Sequence, residues 1–171
     1  MIHISDYDRE WPQQFESEAV CIRGTLGALV LELQHVGSTS VPGLAAKPVI
    51  DIALCVANSA DEAAYAPALI TAGYALTIRE PEWFEHRMFK RAAPEANLHV
   101  FSLGCPEVAR MMNFRDWLRR NAADRALYEE TKRALATRGW GDVQEYADAK
   151  SAVVTEIMAR AEERHRFSDV E

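Results

Sequence analysis

The segment HVGSTSVPGLAAKPVIDI, His35 to Ile52, brings glycine, hydroxyl, lysine and carboxylate groups together at close spacing. A strand that ends in Gly-Ser leaves backbone N–H groups and hydroxyls free in a tight turn. Such a concavity attracts anions, phosphate above all. Gly37 suits a point where backbone must approach a ligand closely, because a Cβ there would intrude. Ser38, Thr39 and Ser40 each carry an O–H that donates to a ligand or caps the turn that follows. Lys47 supplies a charge that neutralises phosphate. The segment lacks the Gly-Lys-Ser/Thr of a Walker A loop and the spacing of a dinucleotide-binding glycine fingerprint. On spacing alone, a rigid turn is the commoner reading.

Asp51 changes the weighing. It stands in the apolar run VIDIALCV, where alternation puts Asp51, Ala53 and Cys55 on one face and Ile52, Leu54 and Val56 on the other. A carboxylate buried in such a strand costs several kcal/mol unless a cation or hydrogen bonds satisfy it. It either accepts backbone N–H groups or binds Mg²⁺ facing phosphates held by the Gly-Ser turn.

Other candidates lie further along. In NLHVF, His99 shares a face with Asn97 and Phe101. If that strand neighbours Asp51, His99 is placed to act as metal ligand, general base or phosphate donor; otherwise it is a half-buried structural histidine. In EHRMFKR, Arg87, Phe89 and Arg91 alternate with His86, Met88 and Lys90, so one basic set can face a phosphate cleft. Tyr-x-x-x-Lys occurs twice, as Tyr128/Lys132 and Tyr146/Lys150. Lys150 falls in an apolar stripe with Tyr146, Val153 and Ile157, where it either snorkels to solvent or clamps a phosphate.

These residues need elements to carry them. The periodicity of Phe15, Ala19, Ile22, Leu26 and Leu29 predicts a helix over 12–30, with Pro12 in its first turn. Strands are predicted at 31–36, 49–56, 74–80, 86–91 and 97–103, with a helix at 61–72. After Cys105 the pattern turns helical, at 106–121, 124–137 and 142–164. Asp142 and Glu145 resemble a capping box at the start of the last helix. The reading is an α+β fold with a mixed sheet, residues 1–104 forming an α/β core and 105–171 a set of helices packed on it.

Composition narrows the function classes. Hydrophobic residues make up 49% and charged residues 26%, which suits a folded core without staples. Net charge is −7, and residues 1–104 hold seven Lys/Arg against thirteen Asp/Glu. That speaks against a broad nucleic-acid surface but leaves room for a local anion pocket. The three cysteines have no metal or redox spacing and imply no disulfide framework. No signal peptide and no apolar run of membrane-spanning length is visible, so a cytoplasmic location is expected and a membrane is not.

The order of strand, Gly-Ser turn, strand with Asp resembles the signature of the nucleotidyltransferase fold. More narrowly, HVGSTSVPGLAAKPVIDI is similar to the signature of the GrpB family of bacterial proteins. The likeness extends through YDREWPQQFESEA, NLHVF, FRDWLR, YEETKRAL and YADAKSAVV, in order, over nearly the whole chain. The resemblance implies a nucleotidyltransferase-like fold with a C-terminal helical extension. GrpB-like domains also occur fused to dephospho-coenzyme A kinases, a pointer to nucleotide chemistry.

What the resemblance implies about function is an expectation. Gly37, Ser38, Thr39, Lys47, Arg87, Lys90 and Lys150 would bind the phosphates of a nucleoside triphosphate or another phosphorylated small molecule. Asp51 would bind Mg²⁺ or Mn²⁺, and Asp51 and His99 would be catalytic in nucleotidyl transfer to an acceptor. One departure stands out. The nucleotidyltransferase pattern has two metal-binding carboxylates separated by one residue, and here the second position is Ala53. A methyl group binds no metal, so the alternative is a non-catalytic module that senses a nucleotide or metabolite.

Overall fold

The computed structural model describes residues 2–168. Residues 169–171 of the C-terminal unit read from the sequence lie outside the described residues. Five strands form one mixed sheet: β1 (Glu32–Val36), β2 (Ile50–Val56), β3 (Ala75–Glu80), β4 (His86–Ala92) and β5 (Glu95–Ser102). Their spatial order is β1-β2-β5-β4-β3. β2 and β5 run parallel, and every other neighbouring pair is antiparallel. The apolar composition of β2 follows from its place between β1 and β5, with both faces covered.

The helices are α1 (Trp11–Leu26), α2 (Ala66–Thr71), α3 (Pro106–Arg120), α4 (Ala122–Ala136) and α5 (Val143–Ser168). The helix expected over 12–30 ends at Leu26, where Gly27 turns the backbone left-handed and a 3-10 turn continues to Leu29. The helix expected over 61–72 is split into a 3-10 turn at 62–64 and the short α2. At the start of α5, Asp142 Oδ1 accepts from the Glu145 N–H at 2.8 Å, and Glu145 Oε2 accepts from the Gly141 N–H at 2.7 Å. This is the reciprocal bonding of a capping box, shifted by one residue at its second arm.

Each face of the sheet has its own cover. On one, Ile52, Leu54, Leu98, Val100 and Phe89 pack with Trp11, Ile22 and Leu69 from α1 and α2. On the other, Val36, Ala53, Cys55 and Phe101 pack with Val108, Met111 and Met112 of α3. A third cluster unites the C-terminal helices through Trp117, Leu118, Tyr128, Val153 and Ile157. Val41 and Leu44, from the loop between β1 and β2, are fully buried in that cluster. The loop that reads as a spacer is thus the seam between sheet and helices. Burying side chains of this size contributes about 1.5–3 kcal/mol each.

Polar bonds hold the seam as well. The Ala45 N–H donates to Glu129 Oε2 at 2.9 Å, and Lys132 Nζ donates to Ala45 O at 2.5 Å, both from α4. Arg115 of α3 is buried and donates to Gln34 Oε1 and to the His35 carbonyl on β1. Arg119 donates to the Ser40 carbonyl through two nitrogens. Cys21, Cys55 and Cys105 are free thiols. Among the described residues, no helix is long and apolar enough to cross a membrane.

Candidate functional site

The Gly-Ser turn and Asp51 meet because β1 and β2 pair antiparallel with Val36 opposite Asp51. Gly37 has φ 73°, a left-handed value that favours glycine. A Cβ added there would lie 2.6 Å from Asp51 Oδ2, so the carboxylate occupies the space that a side chain would need. Ser38–Ser40 form a single 3-10 turn. At the start of such a turn the N–H groups of Ser38 and Thr39 have no acceptor within the helix.

The register of β2 with β5 sets Asp51 beside Asn97 and Ala53 beside His99. Asn97 Nδ2 donates to Asp51 Oδ1 at 3.2 Å, and His99 Nε2 lies 3.5 Å from the same oxygen. Asp51 and His99 are thus brought together, as the sequence suggested for neighbouring strands. Behind His99, its Nδ1 bonds His86 Nε2 at 3.0 Å, and His86 Nδ1 bonds Glu80 Oε2 at 2.6 Å.

Asp51 lines two cavities. One, of about 180 Å³, is lined by Ser38, Thr39, Lys47, Asp51, Lys132, Tyr146 and Lys150, among others. The other, of about 260 Å³, is lined by Gly37, Ser38, Asp51, His99, Arg110, Tyr128 and Lys150, among others. Ser38, Asp51 and Lys150 border both, so they form one cleft between the sheet and the C-terminal helices. Each Tyr-x-x-x-Lys pair folds on itself. Lys132 Nζ sits 4.8 Å from the centre of the Tyr128 ring, and Lys150 Nζ sits 4.7 Å from that of Tyr146.

The cleft gathers three lysines beside one carboxylate. Burial, with Lys150 adding to it, pushes Lys132 down to about 7, while Glu129 opposes the shift. Burial also holds Lys150 below the ordinary lysine range, against the pull of Asp51. Burial pushes the Tyr128 hydroxyl up to about 12. The Tyr146 hydroxyl is buried and has no hydrogen-bond partner among the described residues. A buried hydroxyl left unpaired is costly, and in a polar cavity it is a place for a ligand atom.

Other expected residues stand elsewhere. Arg87 points to the opposite face of the sheet, where its guanidinium binds Glu62 and Glu85. It is opposite Val100, a core residue under α1 and α2, and is not part of the cleft. Arg91 is on that face too, bonded to Glu18. Lys90 is on the site face, in register with Asn97, but exposed. Thr39 Oγ1 is taken up by His35 Nε2 at 2.9 Å and the Val49 carbonyl at 3.4 Å, so its hydroxyl organises the loop. Burial pushes His35 down to about 4, consistent with a neutral ring stacked on Phe15.

The implied metal pair fits poorly. Asp51 is the one carboxylate lining the two cavities among the described residues. Ala53 is fully buried under α3. No group of three or more His, Cys, Asp and Glu side chains converges to hold a metal ion among the described residues. Sequence reasoning left open whether the set with His86 or the set with Arg87 faces the cleft, and it did not place Glu80, Tyr128, Lys132 or Tyr146 there. The repeated Tyr-x-x-x-Lys spacing was the available signal for the last three.

The GrpB protein family model matches residues 1–160. The chain belongs to the GrpB family. A UPF0157 protein of Halalkalibacterium halodurans is 57% identical over 160 residues, covering 94% of this chain and 82% of that protein. A UPF0157 protein of Streptomyces coelicolor is 45% identical over 160 residues, covering 94% and 84%. The crystal structure of GrpB from Enterococcus faecalis superposes with a TM-score of 0.84 at 28% identity, over 95% of this chain and 99% of that one. A cytoplasmic RNA terminal U-transferase superposes with a TM-score of 0.52 at 13% identity, over 77% of this chain and 40% of that one. At that identity the likeness is one of fold, and this GrpB chain has a nucleotidyltransferase-like α+β architecture.

Proposed function

We propose that this GrpB protein binds a phosphorylated small molecule, of which a nucleoside phosphate suits the frame best, in the cleft around Asp51. The carrying observation is the meeting of Lys47, Lys132, Lys150 and the unpartnered Tyr146 hydroxyl in one cavity beside the Ser38 turn. Two of these ammonium groups are largely desolvated, and an anion between them relieves their repulsion. Phosphate offers the Tyr146 hydroxyl an acceptor and the lysines a counter-charge. The cavity of about 180 Å³ suits a phosphate group, with the rest of a ligand extending past Lys47 or past Asp51.

The single carboxylate favours binding without a two-metal centre, and hence a sensing or metal-independent role over two-metal nucleotidyl transfer. The test is a thermal-shift series with inorganic phosphate and with nucleoside mono-, di- and triphosphates. Stabilisation by at least one of these is expected, with loss in Lys150→Met. A flat series across all of them contradicts the proposal.

A further inference from the structure

Glu80, His86, His99 and Asp51 belong to β3, β4, β5 and β2, four adjacent strands, and their side chains form one line across the site face. His86 is buried at 3% exposure and walled by Trp83 and Phe101, with ring centres at 5.0 and 4.8 Å. So much specification behind a single histidine is unnecessary for packing alone.

Proton positions follow from the Glu80 end. A carboxylate has only lone pairs to offer, so His86 carries its N–H on Nδ1. Burial, although opposed by the bond to Glu80, holds His86 below the ordinary imidazole range, which leaves the ring neutral and its Nε2 bare. That nitrogen then accepts from His99, whose proton is on Nδ1. With the proton on Nδ1, the lone pair of the His99 ring is on Nε2, 3.5 Å from Asp51 Oδ1. The carboxylate is an acceptor as well. Two acceptors therefore face each other at the cavity shared with Gly37, Ser38, Arg110 and Lys150.

We propose that Glu80 and His86 are positioning residues that lock His99 in its Nδ1–H form, so that His99 Nε2 and Asp51 Oδ1 jointly accept a hydroxyl donor of the ligand. The proposal rests on the reading of the cleft as a site for a phosphorylated molecule. It adds that the ligand bears a hydroxyl close enough to its phosphate to reach Asp51 while Lys150 holds the anion. Ribose phosphates have that chemistry, and inorganic phosphate does not fill the acceptor pair in the same way.

The experiment uses the full chain with isotope-labelled histidine and long-range proton–nitrogen NMR spectra, which report which ring nitrogen carries hydrogen. In the unmodified protein at mildly alkaline pH, His99 is expected as Nδ1–H. His86→Phe keeps a ring between Trp83 and Phe101 but removes the acceptor, and His99 should change to Nε2–H and donate to Asp51. Glu80→Gln, at a half-exposed position, spares the core and should leave a mixture of the two forms. Ribose phosphate should move the His99 Nε2 signal, and inorganic phosphate should not. His99 as Nε2–H in the unmodified protein, or signals unchanged in both variants, overturns the proposal. So does ribose phosphate that stabilises the protein and leaves His99 unmoved. If no inorganic, ribose or nucleoside phosphate stabilises the protein, the hydroxyl-binding part fails along with the reading of the cleft, while the form of His99 decides the positioning claim by itself.

Discussion

At the scale of single residues, position 53 lies two beyond Asp51 on the same strand, where a metal-binding partner belongs in the nucleotidyltransferase pattern. Its methyl is enclosed by Val36, Cys55, Phe101 and Val108, with no exposure to solvent. A carboxylate there would be buried among apolar side chains, with no solvent to hydrate it. Ala53→Asp is therefore expected to cost about 3–5 kcal/mol rather than rebuild a metal pair. Chemical denaturation measures this, and a variant of unchanged stability that gained Mg²⁺ affinity would overturn the reading. The turn after Gly37 and the strand that carries Asp51 were legible from residue type and alternation. Arg87 was not, because alternation fixes only that Arg87 and His86 face opposite ways, and the choice of face depends on which strand lies beside which.

Elements decide whether these residues meet. The strands were readable from β-branched composition and alternation, and the C-terminal helices from their apolar stripes. The register of β2 with β5, which aligns Asp51 with Asn97, is a long-range pairing that no local pattern encodes. The loop 41–46 illustrates the same limit. Its proline and glycine read as a turn, yet Val41 and Leu44 are core residues of the helical cluster. Leu44→Ala should destabilise the protein by about 2–5 kcal/mol, because it empties a site at 0% exposure. It should also weaken ligand binding, since the same loop holds Ala45 to Glu129 and Lys132. Urea unfolding and a binding titration check the two effects. A binding loss that vanishes when stability is restored by osmolyte would assign it to folding alone.

Across the whole molecule, net charge and site charge have opposite signs. The chain carries −7 overall, yet its cleft gathers Lys47, Lys132 and Lys150 around one carboxylate. The acidic balance says little about the pocket, because a local cluster of lysines from distant segments leaves no mark on composition. The burial of Lys132 makes a prediction about pH. Lys132 falls to about 7 in the folded protein, so the unfolded chain binds more protons between there and the ordinary lysine range. Stability should rise with pH across that window, the penalty being fully present below about 7. Lys132→Met should flatten the rise, measured by denaturant titrations at a series of pH values. An equally steep rise in the variant would assign it to other groups.

The central claim is that the Asp51 cleft holds phosphate by its lysines and needs no metal to do so. Isothermal titration calorimetry with a nucleoside triphosphate and with ribose phosphate, each in the presence of chelator, tests it most directly. The account predicts binding of at least one of them in chelator and a loss of about tenfold or more in affinity for Lys150→Met, a change of about 1.4 kcal/mol. Binding that appears only when Mg²⁺ is restored, or that persists undiminished in Lys150→Met, would contradict it.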